Sequence, residues 1–550
     1  MSLEAAVPAG FAEPSYLNSE HTLRSWLLAT DHKRIALMFF ASITLWFFIG
    51  GIAATLIRLN LATPQGLLQP DVYNRMFTVH GIVMVWLFLI PSIPTTLGNF
   101  FVPMMIGAHD LAFPRLNLAS LYVFNLSGAV ILYSLVMGGV DTGWTFYTPF
   151  STLFSNGYVF AATLGVFING FSSIMTGLNF VVTIHRLRAP GMTWTRLPLF
   201  IWGIYAVSVV MLLATPVLAM DMTLLSFARF AGLGIFDPTL GGDPILWQHM
   251  FWFYSHPAVY IMILPAMGVV SELIPCYARR PIFGYSGMAI ALMSIAVVSF
   301  FVWGHHMFTS GISIFSAVVF SVTTFVVAVP SAIKVFNWTV SLHKGRISFD
   351  APMLYALGFI VLFTIGGLTG LMVATLALDI HLQDTYFIIA HFHYIMIGGT
   401  VSAFFGGLHY WWPKMTGRLY PEMWARFTAI LTFIGFNTTF FPQFILGYLG
   451  MPRRIYTYPA QWQSWNVLSS AGASILAVAY TLPLFYLGWS LIWGREAGPN
   501  PWGATGLEWM TPSPPPKHNF DRTPVVTLGP YSYDPEDGSY IMQDGTHYAA

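Results

Sequence analysis

The chain has 550 residues, 56% of them hydrophobic and only 8% charged, and its 23 Lys and Arg nearly balance its 22 Asp and Glu. This composition is far from that of a soluble domain, and a net charge of +1 offers no basic face for nucleic acid. The lone Cys276 excludes an intrachain disulfide framework and any four-thiolate cluster, so histidine must hold most of any iron or copper.

In chain order, the first 30 residues carry Glu4, Glu13 and Glu20 and no apolar core, so no cleavable signal peptide is expected. Twelve apolar segments follow a segment at 1–34, each long enough to cross about 30 Å of hydrocarbon. They fall near 35–57, 76–105, 116–138, 156–185, 197–220, 245–275, 282–306, 311–341, 352–378, 386–412, 424–448 and 467–494. The expectation is an all-α polytopic membrane protein, a bundle of twelve transmembrane helices with short loops forming one domain over 35–494. Beyond Trp493 the composition turns polar and rich in Pro and Gly, which predicts an extended tail over 495–550 along the membrane surface. With an even number of spans the termini share a side. That side carries seventeen of the 23 basic residues, against Arg58, Arg75, Arg229, Arg453 and Arg454 opposite, with Lys334 inside a span. The positive-inside tendency makes both termini cytoplasmic.

Six of the sixteen histidines, His80, His256, His305, His306, His391 and His393, lie within or at the ends of apolar segments at positions that invite metal. A single buried imidazole is as readily explained by a bond to a backbone carbonyl, and His249 and His409 are left on that reading. Six together favour metal. His391 and His393, two positions apart, leave a helix about 200° apart and must serve separate centres. His305 and His306 diverge by about 100° and can share a centre lying beside their helix, to which His256 adds a third imidazole. Three imidazoles with room for an exogenous ligand suit copper or zinc. Tyr260, one turn after His256, shares its face.

The stretches WFYSHPAVY (252–260), VWGHHMF (302–308), DTYFIIAHFHY (384–394) and NPWGATGLEWMTPSPPP (500–516) resemble subunit I of the haem–copper oxygen reductases, of the cytochrome c oxidase type. The likeness runs from TDHKR at 30–34 to about Phe520. It implies a low-spin haem ligated by His80 and His393, a high-spin haem ligated by His391, and one copper ligated by His256, His305 and His306. Tyr260 would be covalently joined to the His256 ring. The implied chemistry is four-electron reduction of oxygen to water, coupled to proton pumping. Arg453 and Arg454 resemble a pair that binds haem propionates, Arg58 resembles the residue that meets the formyl group of haem A, and Trp144 fits the same surroundings.

Two polar lines resemble the family's proton pathways. Thr324, Ser331 and Lys334 fall within about 80° around one helix and resemble the lysine pathway. Asp110, Asn99, Asn117, Ser172, Ser173 and Asn179 resemble the aspartate pathway. Isolated Ser, Thr or Asn in spans more often pack helices than carry protons. The sequence departs from the commonest pattern at Ala258, where a glutamate usually stands. With Tyr254 and Ser255 one turn earlier, the chain resembles the subclass in which a Tyr-Ser pair replaces that glutamate. It departs again at Gln383, which precedes Asp384 where a His is usual; an amide oxygen still suits a hard cation, and the two residues are assigned a magnesium ion.

Quinol-oxidising relatives have a His and a Gln where this chain has Val72 and Arg75, so cytochrome c or a cytochrome c domain is the expected donor. The two-copper centre must lie on a partner, subunit II. Subunit III, other oxidase subunits and membrane lipid complete the partners, in a cell's inner (cytoplasmic) membrane. Nitric oxide reductase is the first rival, opposed by Tyr260 and Lys334. A twelve-helix solute transporter is the second, opposed by the six histidines.

Overall fold

A computed structural model describes residues 14–549 except Asn156 and Pro535. Residues 1–13 of the segment expected over 1–34, including Glu4 and Glu13, lie outside the described residues. Among the described residues, eleven helices are long and apolar enough to span a membrane: α1 His32–Asn60, α2 Pro70–Met105, α3 Pro114–Val136, α4 Val159–Arg186, α5 Leu199–Phe230, α6 Pro244–Ala278, α8 Ile314–Leu342, α9 Ala351–Ala374, α10 Tyr386–Thr416, α11 Glu422–Tyr448 and α12 Ala460–Trp493. A shorter apolar helix, α7 Tyr285–Phe301, completes the twelve.

The starts follow local chemistry. Asp31 caps α1 by accepting from Lys33 N at 2.9 Å. Asp243 caps α6 by accepting from Ile245 N at 2.8 Å, with Pro244 in the first turn, where its missing N–H costs nothing. Three departures from regular helix matter for function. In α2 and α10 the helix widens to π geometry over Val83–Leu89, Ser92–Gly98 and Met396–Val401, the last just after the two histidines. The segment expected to end in helix at 306 instead tightens into 3₁₀ turns at Ser299–Phe301 and Trp303–Met307. His305 and His306 therefore sit on a 3₁₀ turn, where neighbours diverge by about 120° rather than 100°. In α8 the helix breaks at Val327 because Pro330 has no N–H to offer the preceding turn.

Helices adjacent in sequence pack against each other through α3–α6, and α11 packs along α12. The most enclosed span is α6 and the most exposed is α8. The tail is less extended than expected. It covers one end of the bundle, burying Trp509 and Tyr531 and carrying a 3₁₀ turn at Leu507–Met510 and a two-residue hairpin pairing Tyr540–Ile541 with His547–Tyr548. Lys414 at the end of α10 pins it by donating to Pro499 O at 2.9 Å and to Thr511 O at 2.5 Å.

Candidate functional site: a cavity lined by six histidines

One cavity of about 590 Å³ reaches all six imidazoles and also Arg58, Trp144, Tyr260, Thr324, Ser331, Gln383, Arg453 and Arg454. It lies between α1, α2, α6, the 3₁₀ turn at Trp303–Met307, α8, α9, α10, α11 and α12.

His80 and His393 face each other with ring centres 6.3 Å apart and planes within 8° of parallel. Each Nδ1 donates to a backbone carbonyl, His80 to Gly50 O at 2.9 Å and His393 to Ile389 O at 2.7 Å. A ring whose Nδ1 is a fixed donor keeps a lone pair on Nε2, the state a metal ligand needs. Two metal–imidazole bonds of about 2 Å each, with the further reach from nitrogen to ring centre, come to roughly 6 Å, so the gap fits one ion. His391 is held on the other side of α10: its Nδ1 donates to Gly366 O at 3.1 Å, with Thr369 Oγ1 at 3.3 Å. Gly370 keeps the space beside that ring open, since a Cβ there would lie 3.1 Å from His391 Cε1.

His256, His305 and His306 form the second grouping, offering ligand nitrogens all within 4.8 Å of one another. Nδ1 of His256 and Nε2 of His305 each lie 3.1 Å from Nε2 of His306. Trp252 stacks on His306 at 3.7 Å and fixes its plane, while Nδ1 of His305 donates to Thr324 Oγ1 at 3.0 Å. Nε2 of His256 is buried without a partner, and its ring lies 4.8 Å from that of Tyr260. Three converging neutral imidazoles with spare lone pairs, lacking a carboxylate partner among the described residues, are a donor set suited to a borderline transition metal.

The arginines are equally short of partners. Arg58 Nη2 donates to Asn466 O at 2.8 Å and Ser470 Oγ at 3.2 Å, but its Nε and Nη1 are buried and unpaired. Arg453 forms an ion pair with Asp384, yet its Nε is also unpaired. Arg454 sits beside it on a residue of positive φ, 5.6 Å above the Phe77 ring. Burial and the neighbouring Arg453 charge pull the Arg454 guanidinium down to about 10. Two guanidiniums and one carboxylate leave this corner of the cavity cationic, as an anionic ligand would require. Trp144 packs edge-on to Trp252 at 5.8 Å, against Gly81, where a Cβ would come within 2.9 Å of it.

The polar lines diverge in character. Thr324 and Ser331 line the cavity, whereas Lys334 lies deeper, fully buried, with Nζ 3.4 Å from Ser271 Oγ and 4.9 Å from the Trp338 ring. The break in α8 separates Thr324 from the other two. On the other line, Asn99 and Asn117 exchange amide bonds at 3.0 and 2.9 Å, Asn179 is engaged twice by the Phe113 backbone at 3.0 Å, and Ser172 donates to Ser120 O at 2.9 Å. Ser173 is half-buried, with no hydrogen bond to name. Asp110 sits in the loop below, where burial pushes its carboxyl up to about 7 against the Leu111 N–H and the Lys33 charge. Tyr254 is buried and stacked on Trp86 at 5.7 Å, and Ser255 Oγ is buried without a partner. Gln383 Nε2 donates to His306 O at 3.3 Å, and Asp384 is mostly exposed apart from its ion pair with Arg453.

Sequence reasoning missed Asp379. It lies on a short helix, Leu376–Leu382, and lines the cavity with Oδ2 unpaired; burial raises its carboxyl to about 8. The available signal was an acid at the end of the apolar run before Gln383, one turn away. It also missed a second, apolar cavity of about 170 Å³ that shares Phe47, Phe48 and Tyr480 with the first and runs between α1, α10 and α12.

Comparison with known proteins places these features in context. The family model for cytochrome C and Quinol oxidase polypeptide I matches residues 34–475. Cytochrome c oxidase subunit 1 of Synechocystis sp. is 45% identical over 94% of this chain and 95% of its own length. The subunit of the same name from Thermostichus vulcanus is 43% identical over 92% and 91%, and that of Bacillus subtilis 42% identical over 92% and 82%. Among solved structures, a cryo-EM haem–copper terminal oxidase dimer shares the fold, with a TM-score of 0.72 at 20% identity over 84% of this chain and 85% of that one.

Proposed function

The chain belongs to the cytochrome c and quinol oxidase polypeptide I family, as catalytic subunit I of a haem–copper terminal oxidase of the cytochrome c oxidase type, and from that premise we propose a role for each residue of its cavity. His80 and His393 hold the low-spin haem, His391 the high-spin haem, and His256, His305 and His306 the copper. The observation that carries this assignment is the convergence of six imidazoles in one cavity, two of them parallel at 6.3 Å. When bound, haem and copper would supply the electrons for oxygen reduction.

The chain's own residues do the rest. Carbonyl acceptors on Nδ1 of His80, His393 and His391 fix the tautomer and orientation of each ring. Arg453 and Arg454 bind the haem propionates, and the unpaired edge of Arg58 meets a formyl oxygen. The apolar cavity continuing from Phe47, Phe48 and Tyr480 suits one long hydrocarbon tail, which supports haem A there, and we assign the same type to the second haem. Trp144 closes the cavity over Gly81. Tyr260, joined to the neighbouring His256 ring, gives a proton and an electron at the oxygen-binding position; Lys334, Ser331 and Thr324 return the proton, and the cytochrome c donor returns the electron. Asp110, Asn99, Asn117, Ser172, Ser173 and Asn179 bring pumped protons from the other line. Tyr254 and Ser255 stand in for the absent glutamate, in the Tyr-Ser subclass. A phenol of ordinary pKa near 10 keeps its proton at neutral pH, so Tyr254 relays protons through ordered water rather than ionising itself. Gln383 and Asp384 bind magnesium through an amide and a carboxylate oxygen.

The partners are a subunit II bearing two coppers, subunit III, and cytochrome c or a fused cytochrome c domain as donor. The excess of Lys and Arg beside the termini supports a cytoplasmic position for both. The organisation is a twelve-helix domain over 35–494 with its tail over 495–550. The test is the pyridine-extracted haem spectrum and metal content of the purified complex. Two haems A and one copper assignable to this subunit are expected; iron in place of that copper, or no haem, overturns the reading.

A further inference from the structure

Buried groups outside the cavity cluster at the tail-covered end of α6, and one acid there has no part in the reading above. We infer that Glu272 is the carboxyl that supplies protons to Lys334, and that Tyr531 of the tail gates it. This rests on the lysine line proposed above.

Glu272 follows Ser271, whose hydroxyl oxygen lies 3.4 Å from Lys334 Nζ and accepts from Trp338 Nε1 at 3.0 Å. Lys334 is fully buried and forms no ion pair among the described residues, and Glu272 adjoins the serine that it touches. A buried lysine that passes protons inward must be resupplied from the other side, and a spanning helix seldom keeps such an acid without use. Glu272 is 8% exposed, and its cover is specific. The Tyr531 hydroxyl donates to Glu272 Oε1 at 2.5 Å while accepting from Leu199 N at 2.8 Å. The same Oε1 accepts from Phe200 N at 3.0 Å. The titratable groups around Glu272 are Lys334 from α8, Tyr285 from α7, Tyr410 from α10, and Glu508 and Tyr531 from the tail. Lys334 is the basic group of this set, and so the recipient.

The transfer moves one proton and no electrons. Protonated Glu272 gives its proton through the Ser271 hydroxyl to the Lys334 amine, becomes a carboxylate, and is reprotonated by water when the Tyr531 hydroxyl swings aside. A purely structural role is the competing account, since Glu272 and Tyr531 together satisfy the first two amides of α5. Glutamine separates the two. It keeps the volume and the acceptor for Phe200 N but cannot release a proton.

The experiment uses the assembled oxidase with its natural subunits and haem and copper content checked. It measures the anaerobic rate of electron arrival at the oxygen-binding haem across pH in E272Q, E272D, K334M and Y531F. A general acid in the route predicts a slowing of about tenfold or more in E272Q, recovery in E272D, no further slowing when E272Q is added to K334M, and a displaced pH profile in Y531F. Wild-type rate and pH profile in E272Q, with K334M slow, would overturn the role of Glu272 alone. Wild-type rate in K334M would remove the lysine line itself and this proposal with it. Should E272Q fail to assemble, Y531F decides, and an unchanged pH profile there overturns the inference.

Discussion

Around the six histidines, buried polar atoms go without partners: Nε2 of His256, Nε and Nη1 of Arg58, Nε of Arg453 and Oδ2 of Asp379. Along the asparagines between α2, α3 and α4 the opposite holds, with Asn99 and Asn117 answering each other and Asn179 answered by backbone. An unpaired buried polar group costs about 1–3 kcal/mol, so a fold tolerates several in one place only when something else completes them. The first region presents donors and acceptors that a bound group would use; the second pairs its amides within the fold and can carry protons only through water or by opening those pairs. Lys334 lies between these extremes, with one long bond to Ser271.

The sharpest break of this contrast is expected at the triad. Removing His305 or His306 leaves two imidazoles, and copper content should fall to nothing with turnover down by about a thousandfold or more, read by metal analysis and oxygen uptake. Lys334→Met should follow, slowing turnover by about a hundredfold with both haems retained in the optical spectrum. Asp110→Asn should cost about tenfold. Because the Asp110 carboxyl is raised to about 7, its protonated, donating form declines as pH rises through that value. Wild-type turnover should therefore fall above about pH 7 more steeply than that of D110N. Smallest is Asn117→Ala, which leaves the buried Asn99 amide unanswered; about 1–3 kcal/mol of stability should be lost, seen in thermal unfolding, with the haem spectrum unchanged.

Much of this was legible in the sequence because membrane burial makes polar residues conspicuous. His391 and His393 stood out in an apolar run, and their two-residue spacing already required separate centres; the structure puts His80 opposite one and Gly366 behind the other. What stayed hidden depended on backbone departures and on contacts distant in sequence. The 3₁₀ turn under His305 and His306 and the break at Pro330 changed local angles that a 3.6-residue period could not anticipate. Twelve spans were expected and α7 supplies the seventh, its last turns tightened to 3₁₀ geometry. The tail looked extended by composition, and only tertiary contact brings Tyr531 to Glu272 across 259 positions. Asp379 was overlooked because one acid beside a segment end looks like any loop carboxylate.

The central claim is that one helix serves two separate irons from residues two positions apart. The most direct measurement is the optical spectrum of the reduced enzyme, with and without carbon monoxide, in His393→Ala and His391→Ala. The account predicts that H393A loses the low-spin band and keeps a carbon-monoxide-binding haem, while H391A does the reverse. Identical losses in the two variants, or two intact haems in either, would contradict it.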